Sequence, residues 1–280
     1  MLIGILCVLS AAGSLLLCAA VGGFERSHWL WLLPAGLVGN FVVLVLLCFV
    51  ILLIACAFVD PDKEREKDSK FFRIAVRLIA EALLTVARAR VHTRGLEKIP
   101  TDGRFLLVCN HLHEADPVVL FHYFRKSQLA FVGKKETRNM FLVGKIMPMI
   151  LCPYINREND REALKTILRC IHLLKENKVS IGIFPEGYIR PDRKFHHLRP
   201  GVFKIAQKAK VPIVVCTMTN TNHLIKNFLR GRPTDIDLHL LEVIPAESLE
   251  GKTTVEISDY VHGIMAEDLG EAYRPVEENT

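Results

Sequence analysis

The first 59 residues of the chain are almost free of charge. They contain two charged side chains, Glu25 and Arg26, and otherwise form two apolar stretches, Leu2 to Val21 and Trp29 to Val59. About 20 consecutive apolar residues are enough to cross the hydrocarbon core of a bilayer as a helix. No basic residue precedes the first stretch and no A-x-A site ends it, as a cleaved signal peptide would require. We therefore expect residues 1–59 to form a membrane segment of two hydrophobic helices.

Basic residues follow the second apolar stretch. The loop between the stretches carries a single arginine, whereas five basic side chains come soon after the second stretch: Lys63, Arg65, Lys67, Lys70 and Arg73. Because Lys and Arg are in excess on the cytoplasmic side of membrane helices, we expect both ends of the pair, and the rest of the chain, on the cytoplasmic face. Eight cysteines without framework spacing agree with a reducing compartment. A helical hairpin that dips into one leaflet is the alternative geometry.

Residues 60–95 contain one helical pattern. Between Ser69 and Arg90, apolar side chains recur at helical spacing, while Arg73 and Arg77 fall on another face. A basic amphipathic helix beside a membrane segment is typical of a helix that lies along the bilayer surface. The sequence predicts such a surface helix here, and ordinary packing against a soluble domain is the alternative.

From residue 96 onwards, short apolar strands alternate with amphipathic helices. The candidate strands are Phe105 to Cys109, Leu129 to Gly133, Pro153 to Asn156, Ser180 to Phe184, Pro212 to Thr217 and Ile236 to Val243. Helical spacing is clearest from Ala163 to Leu174 and weaker in 201–208 and 255–269. Strands separated by helices predict a layered α/β fold, with a mixed, largely parallel sheet flanked by helices. We assign residues 96–280 to this domain.

A polar turn separates the predicted strand that ends at Cys109 from the apolar run that begins at Val118. His111 and Asp116 lie in this turn, and Pro117 is well placed as the first residue of a helix. On one continuous helix the two side chains would point apart, whereas a turn can fold the carboxylate back onto the imidazole. An Asp that accepts from Nδ1–H leaves Nε2 free to take a proton from a hydroxyl. The pair is a candidate general base, and a helix N-cap beside a structural histidine is the alternative.

Three further predicted strands also run into polar residues. Lys134 follows the second strand, Arg157 the third, and Glu186 and Gly187 the fourth. Open α/β sheets bind ligands beyond the carboxyl ends of their strands. Lys134 and Arg157 are therefore candidate clamps for a phosphate group. The net charge of +6 lies entirely after residue 59 and suits an anionic lipid or a phosphate-bearing substrate, although a solvated basic surface would show the same charge.

Several sequence blocks resemble, in their order and approximate spacing, those of the glycerolipid acyltransferases. They are NHx4D from Asn110 to Asp116, Gly133 to Glu136, a block that ends in Arg157, FPEG from Phe184 to Gly187, and VPI from Val211 to Ile213. Within that family they are similar to the 1-acyl-sn-glycerol-3-phosphate acyltransferases. The resemblance covers about Arg104 to Thr217. One departure is Arg190, which is displaced by one position from the arginine that usually follows FPEG.

This resemblance implies transfer of a fatty acyl group from a thioester, acyl-CoA or acyl-carrier protein, to the sn-2 hydroxyl of lysophosphatidic acid, which gives phosphatidic acid. It implies that His111 deprotonates the hydroxyl and that Asp116 orients His111, with no cofactor and no metal ion. The acceptor would be bound by five residues: Asn110, Lys134, Arg157, Glu186 and Gly187. The expected partners are the lipid bilayer and the two substrates, and no nucleic acid.

Other functions are compatible with parts of the same sequence. Acylation of glycerol 3-phosphate or of another lysolipid is the alternative within the class. From another class, His111-x-His113 resembles the start of the H-x-H-x-D-H signature of metal-dependent hydrolases, but Asp116 falls one place late and Pro117 replaces the next histidine. A catalytically silent membrane scaffold is the third alternative.

Overall fold

The computed structural model describes residues 2–22, 24 and 28–275, and the chain divides into two compact units between Asp60 and Pro61. In the first unit, α1 (Leu2–Ala20) and α2 (Trp29–Ala57) follow the two predicted apolar stretches. Both helices are long and apolar enough to cross a membrane, judged by length and composition. Glu25 and Arg26, in the loop between the stretches, lie outside the described residues.

Small and polar side chains lie where α1 and α2 pack together. The Ser14 hydroxyl donates to the main-chain oxygen of Leu33 at 2.6 Å, and the Asn40 amide donates to the main-chain oxygen of Ser10 at 3.5 Å. A Cβ atom on Gly36 would lie 2.7 Å from the Ser14 hydroxyl oxygen. Small residues therefore bring the two backbones close, as is usual where apolar helices pair.

The second unit contains a six-stranded mixed sheet and a separate pair of short strands. The described strands are β1 (Ala89–Arg94), β2 (Leu106–Cys109), β3 (Leu129–Phe131), β4 (Gly133–Lys134), β5 (Tyr154–Ile155), β6 (Ser180–Ile183), β7 (Ile213–Met218) and β8 (Thr234–Ile244). The order in the large sheet is β1-β8-β7-β2-β6-β3. Strands β7, β2, β6 and β3 run parallel, β8 is antiparallel to β7, and β1 is parallel to β8. The predicted layered α/β fold with a largely parallel sheet is confirmed.

Helices cover both faces of this sheet. They are α3 (Lys70–Val86), α4 (Asp116–Tyr123), α5 (Val143–Met149), α6 (Asp160–Lys175), α7 (Lys204–Ala209), α8 (Leu224–Leu229) and α9 (Thr254–Leu269). Leu84 of α3, Leu120 of α4 and Leu224 of α8 join one core with Cys216 and Met218 of β7. The intervening β7 residue, Thr217, bonds Asp268 of α9 instead. Because side chains alternate along a strand, α3, α4 and α8 cover one face and α9 covers the other.

Of the segment 60–95, predicted as a separate surface helix, residues 61–95 belong to the second unit. Phe72, Ala80 and Leu84 of α3 are buried, and the Arg73 guanidinium donates to main-chain oxygens of the domain. The helix ends at Val86, and Ala89–Arg94 forms strand β1, where the sequence predicted helix as far as Arg90. The predicted start of the α/β domain at residue 96 was therefore wrong. A mostly exposed edge strand lacks the apolar alternation that would reveal it.

Candidate active site

The site is built on three neighbouring parallel strands. Strand β2 lies between β7 and β6, so the loops that follow these strands meet at one edge of the sheet. His111 comes just after β2, Glu186 just after β6, and Thr221 just after β7. Side chains far apart in sequence are thus brought within hydrogen-bonding distance.

The turn after β2 brings the carboxylate of Asp116 onto the imidazole of His111. The distance from Nδ1 of His111 to Oδ2 of Asp116 is 2.8 Å. The same oxygen accepts main-chain N–H groups of Leu112 at 2.7 Å and His113 at 2.9 Å. The other oxygen, Oδ1, accepts the Thr221 hydroxyl at 2.5 Å. Asp116 is fully buried, and these donors compensate the loss of water around its charge.

The face of the His111 ring stacks on an aromatic side chain, which fixes the orientation of the imidazole. The ring lies parallel to that of Phe184, with centroids 4.0 Å apart, and Phe184 stacks in turn on Phe131. Phe131 lies directly over Gly182, where a Cβ atom would come within 2.4 Å of its ring. With Nδ1 held by Asp116, Nε2 of His111 has no partner among the residues that the structure describes. That nitrogen is free to accept a proton.

Glu186, predicted to contact the acceptor, is bonded to two main-chain N–H groups of the protein. Its side chain is 4% exposed, and its two oxygens accept main-chain N–H groups of His111 at 2.9 Å and of His196 at 3.2 Å. Burial raises the pKa of this carboxyl to about 7, against the effect of those two donors. Glu186 therefore joins the loop after β6 to the turn that carries His111 and Asp116. Both its oxygens accept hydrogen bonds from the main chain.

Asn110, also predicted to contact the acceptor, is bonded to the main chain of Met218. Its buried amide donates to the main-chain oxygen of Met218 at 2.8 Å and accepts from the main-chain nitrogen of Met218 at 2.7 Å. This two-way bond ties the end of β2 to the end of β7. Both polar atoms of the side chain form hydrogen bonds within the protein, so Asn110 holds the start of the turn that carries His111 and Asp116.

Arg199 lies close to the FPEG turn. Gly187 has a φ of +92°, and a Cβ atom there would lie 2.6 Å from Nε of Arg199. Gly187 thus allows both the left-handed turn and the close approach of Arg199. The pKa of Arg157 is lowered, first by burial and then by the nearby charge of Arg199. The unpredicted Arg199 packs against Gly187, and its charge acts on the predicted cation Arg157; we refer to the two arginines as the cationic area.

Lys134, the other predicted clamp, lies on the surface. Its ammonium group pairs with Glu136 at 3.5 Å, and both side chains are largely exposed. The negative charge of Glu136 favours the charged form of Arg157 and so acts to raise the pKa of that arginine. Lys134, which pairs with Glu136, therefore lies at the edge of the same area. An exposed ion pair of this kind contributes little to stability and exchanges readily for another partner. A role for Lys134 in binding stays a prediction.

The geometry around His113 does not favour the metal-hydrolase alternative. Nδ1 of His113 accepts the main-chain N–H of Ala115 at 3.1 Å, within its own turn. Across residues 2–22, 24 and 28–275, no group of three or more His, Cys, Asp or Glu side chains is arranged to hold a metal ion.

Three residues of the site were missed from the sequence: Thr221, Arg199 and Phe184 as a stacking partner. Thr221 follows the predicted strand over Pro212 to Thr217. It could have been predicted from its position, because sites in open α/β sheets lie beyond the carboxyl ends of the strands. Phe184 belongs to the FPEG block. No local signal distinguishes Arg199 from other surface cations, since its place depends on the path of the chain after Gly187.

Comparison with known proteins agrees with this geometry. Residues 90–219 match the sequence model of the acyltransferase family. This part of the chain is an acyltransferase domain. The acyltransferase is 24% identical over 188 residues to the 1-acyl-sn-glycerol-3-phosphate acyltransferase of Borreliella burgdorferi, which covers 66% of this chain and 74% of that protein. It is 28% identical over 187 residues to the Escherichia coli protein of the same name, covering 64% of this chain and 74% of the relative.

A solved structure shares the fold of the acyltransferase. The crystal structure of the 1-acyl-sn-glycerophosphate acyltransferase of Thermotoga maritima superposes with a TM-score of 0.60 at 20% identity. The superposition covers 83% of this chain and 91% of that one. The predicted membership of the acyltransferases, and with it an enzymatic activity of this class, is confirmed.

Proposed function

We propose that this acyltransferase moves a fatty acyl group from an acyl thioester to the sn-2 hydroxyl of lysophosphatidic acid, giving phosphatidic acid for phospholipid biosynthesis. The observation that carries the proposal is the His111–Asp116 pair, 2.8 Å apart, with Nε2 free and Arg199 beside the neighbouring FPEG turn. The names of the relatives support lysophosphatidic acid as the acceptor.

The reaction needs one proton acceptor and no covalent enzyme intermediate. Nε2 of His111 takes the proton of the acceptor hydroxyl as its oxygen attacks the thioester carbonyl carbon. The tetrahedral intermediate then collapses, the carbon–sulfur bond breaks, and the leaving thiolate takes the proton back from His111. The products are an ester and a free thiol, and the histidine is regenerated. Buried Asp116 stabilises the transient imidazolium and keeps Nδ1 protonated throughout.

The acceptor phosphate would bind at the cationic area. Arg157 and Arg199 supply planar donors that match phosphate oxygens, and neither forms an ion pair with a carboxylate in the described part of the chain. Mutual repulsion between the two guanidinium groups is relieved when an anion lies between them. This charge supports a phosphate-bearing acceptor over a neutral lysolipid.

The proposed setting is a membrane, with the catalytic domain on its cytoplasmic face. The two apolar helices support membrane attachment, and the basic residues after α2 support this orientation. Acceptor and product would then exchange directly with the lipid phase. Acyl-CoA and acyl-carrier protein are both possible donors under this proposal, and the proposed chemistry uses no cofactor.

An acceptor panel tests the proposal. The detergent-purified chain is given a labelled acyl thioester with lysophosphatidic acid, glycerol 3-phosphate or a neutral lysolipid in parallel. Phosphatidic acid as the main product supports the proposal. Product from glycerol 3-phosphate alone would change the acceptor and leave the role of the arginines in phosphate binding unchanged. Product from a neutral lysolipid alone would contradict that role, and the absence of any product would favour the scaffold alternative.

A further inference from the structure

The outer surface of the α3–α8 layer exposes an unusual group of large apolar side chains. They come from the end of α3 and from α8, and their exposed fractions are Leu83 52%, Val86 56%, Ile225 55%, Phe228 46% and Leu229 77%. We refer to these five residues as the α3–α8 patch. Single exposed apolar side chains are ordinary on a protein surface. A group of five, in which Leu229 is 77% exposed, indicates a surface that binds an apolar partner.

The two parts of the patch are joined by hydrogen bonds just beyond their ends. The Arg88 guanidinium donates to the main-chain oxygen of Gly231 at 2.7 Å. The main-chain oxygen of Arg88 accepts the main-chain N–H of Thr234 at 3.3 Å. Arg88 lies two residues after the end of α3, and Gly231 two residues after the end of α8. The C-terminal ends of α3 and α8 therefore lie close together.

Cations without carboxylates surround the patch. Four exposed basic side chains border it: Arg88, Lys226, Arg230 and Arg232. None of them forms an ion pair with a carboxylate in the described part of the chain, and residues 82–94 and 219–233 contain no Asp or Glu. Helix α9, on the opposite face of the sheet, carries four acidic residues instead. The patch and α9 thus differ in the charge of the residues that accompany them.

We infer that the α3–α8 patch is a second membrane contact, which inserts its apolar side chains into the boundary region of an anionic phospholipid bilayer. Apolar side chains bordered by Lys and Arg are the composition of surfaces that bind anionic lipid. The chain also carries two helices able to cross a membrane, so lipid is the apolar phase already within its reach. An acidic protein is the other class of occupant, and the experiment separates the two.

The inferred contact is connected to the catalytic pair, and this step rests on the proposed function. Helix α8 starts three residues after Thr221, whose hydroxyl donates to Asp116. The segment that supports the catalytic carboxylate therefore continues directly into the patch. A lysolipid resident in the bilayer would meet the site at the surface where the domain rests on the membrane.

The position of the patch can be measured with a tryptophan reporter. The full chain carries two tryptophans, Trp29 and Trp31, so a W29F/W31F background with F228W has one emitting residue. In vesicles of anionic phospholipid with brominated acyl chains, we expect a blue shift and loss of emission. The matched control is Y260W on α9, because Tyr260 is 48% exposed on the opposite face of the sheet.

Quenching at position 228 with none at 260 supports the contact. No quenching at 228, or equal quenching at both positions, overturns it. A blue shift that needs added acyl-carrier protein and is insensitive to brominated lipid overturns it in favour of a protein partner. If F228W fails to fold by circular dichroism, L229W replaces it, since Leu229 is more exposed.

A second measurement joins the contact to activity. The variant F228E/L229E should lose turnover of a long-chain lysolipid held in vesicles and keep turnover of a short-chain, water-soluble one. Unchanged turnover on vesicles would overturn the functional step while leaving the quenching result intact. Because quenching needs no catalysis, failure of the proposed function is distinguishable from failure of the inferred contact.

Discussion

The hydroxyl of Thr221 donates to the buried carboxylate of Asp116 at 2.5 Å, although 105 residues separate them in the chain. Thr221 touches no reacting atom in the proposed reaction and acts by holding the carboxylate that orients His111. We expect T221V to lower kcat about tenfold, because a hydrogen bond to a charged group contributes about 1.5–3 kcal/mol. KM should stay unchanged, and T221S should restore kcat. A change in KM alone would contradict this positioning role.

Arg157 is expected to bind the acceptor phosphate. R157A should raise KM for lysophosphatidic acid about 10- to 100-fold, which corresponds to loss of a charge-assisted hydrogen bond. Turnover at saturating acceptor should change little, because the arginine holds a group remote from the reacting hydroxyl. Steady-state kinetics with each substrate varied in turn checks this. The exposed cation Lys175 on α6 gives the matched control K175A, and a KM effect confined to the thioester would refute the assignment.

Arg199 should act on the same phosphate as Arg157. R199A is expected to raise KM for the acceptor, and the double variant R157A/R199A should raise it by less than the product of the two single effects. Residues that share one partner couple in this way, whereas independent sites multiply. G187A provides a separate check, because a Cβ atom at 187 would lie 2.6 Å from Nε of Arg199. Strictly multiplicative effects would place the two arginines on different groups.

Glu186 makes the stability of the domain depend on pH. Its pKa is about 7 in the folded protein against an ordinary value of 4.5, because burial penalises the charged form. The protonated carboxyl therefore contributes stability that is fully present below about pH 4.5 and is lost as pH rises through about 7. The melting temperature of wild type, minus that of E186Q, should fall across this window. A difference that grows with rising pH would show that the two N–H donors outweigh burial.

The features of the fold and of the site that could be predicted from the sequence are those that depend on local patterns of residues. The two apolar helices, the order of strands and helices, and the His111–Asp116 pair each depend on residues within one segment. The hydrogen bonds of Asn110 and Glu186 could not be predicted, because their partners, Met218 and the main chain of His196, come from other strands and loops. A polar side chain at a strand end can face a ligand or hold a neighbouring loop, and only the strand order decides between them.

Arg199 and strand β1 were missed for different physical reasons. Arg199 approaches Gly187 only after the chain has turned back from β6, so its sequence context is that of any surface cation. Strand β1 lies at the edge of the sheet, where most of its side chains are exposed and leave no apolar alternation. Fold class is thus readable from periodicity, whereas partners across the sheet require the structure.

A comparison of wild type with H111A tests whether His111 is the base of an acyl transfer to lysophosphatidic acid. Purified protein is given lysophosphatidic acid and a labelled acyl thioester, and the phosphatidic acid formed is quantified, with H92A as a control for an exposed histidine on β1. We expect H111A to lose about 10²- to 10⁴-fold in kcat while its melting temperature stays close to wild type. Phosphatidic acid formed by H111A at the wild-type rate would contradict the account.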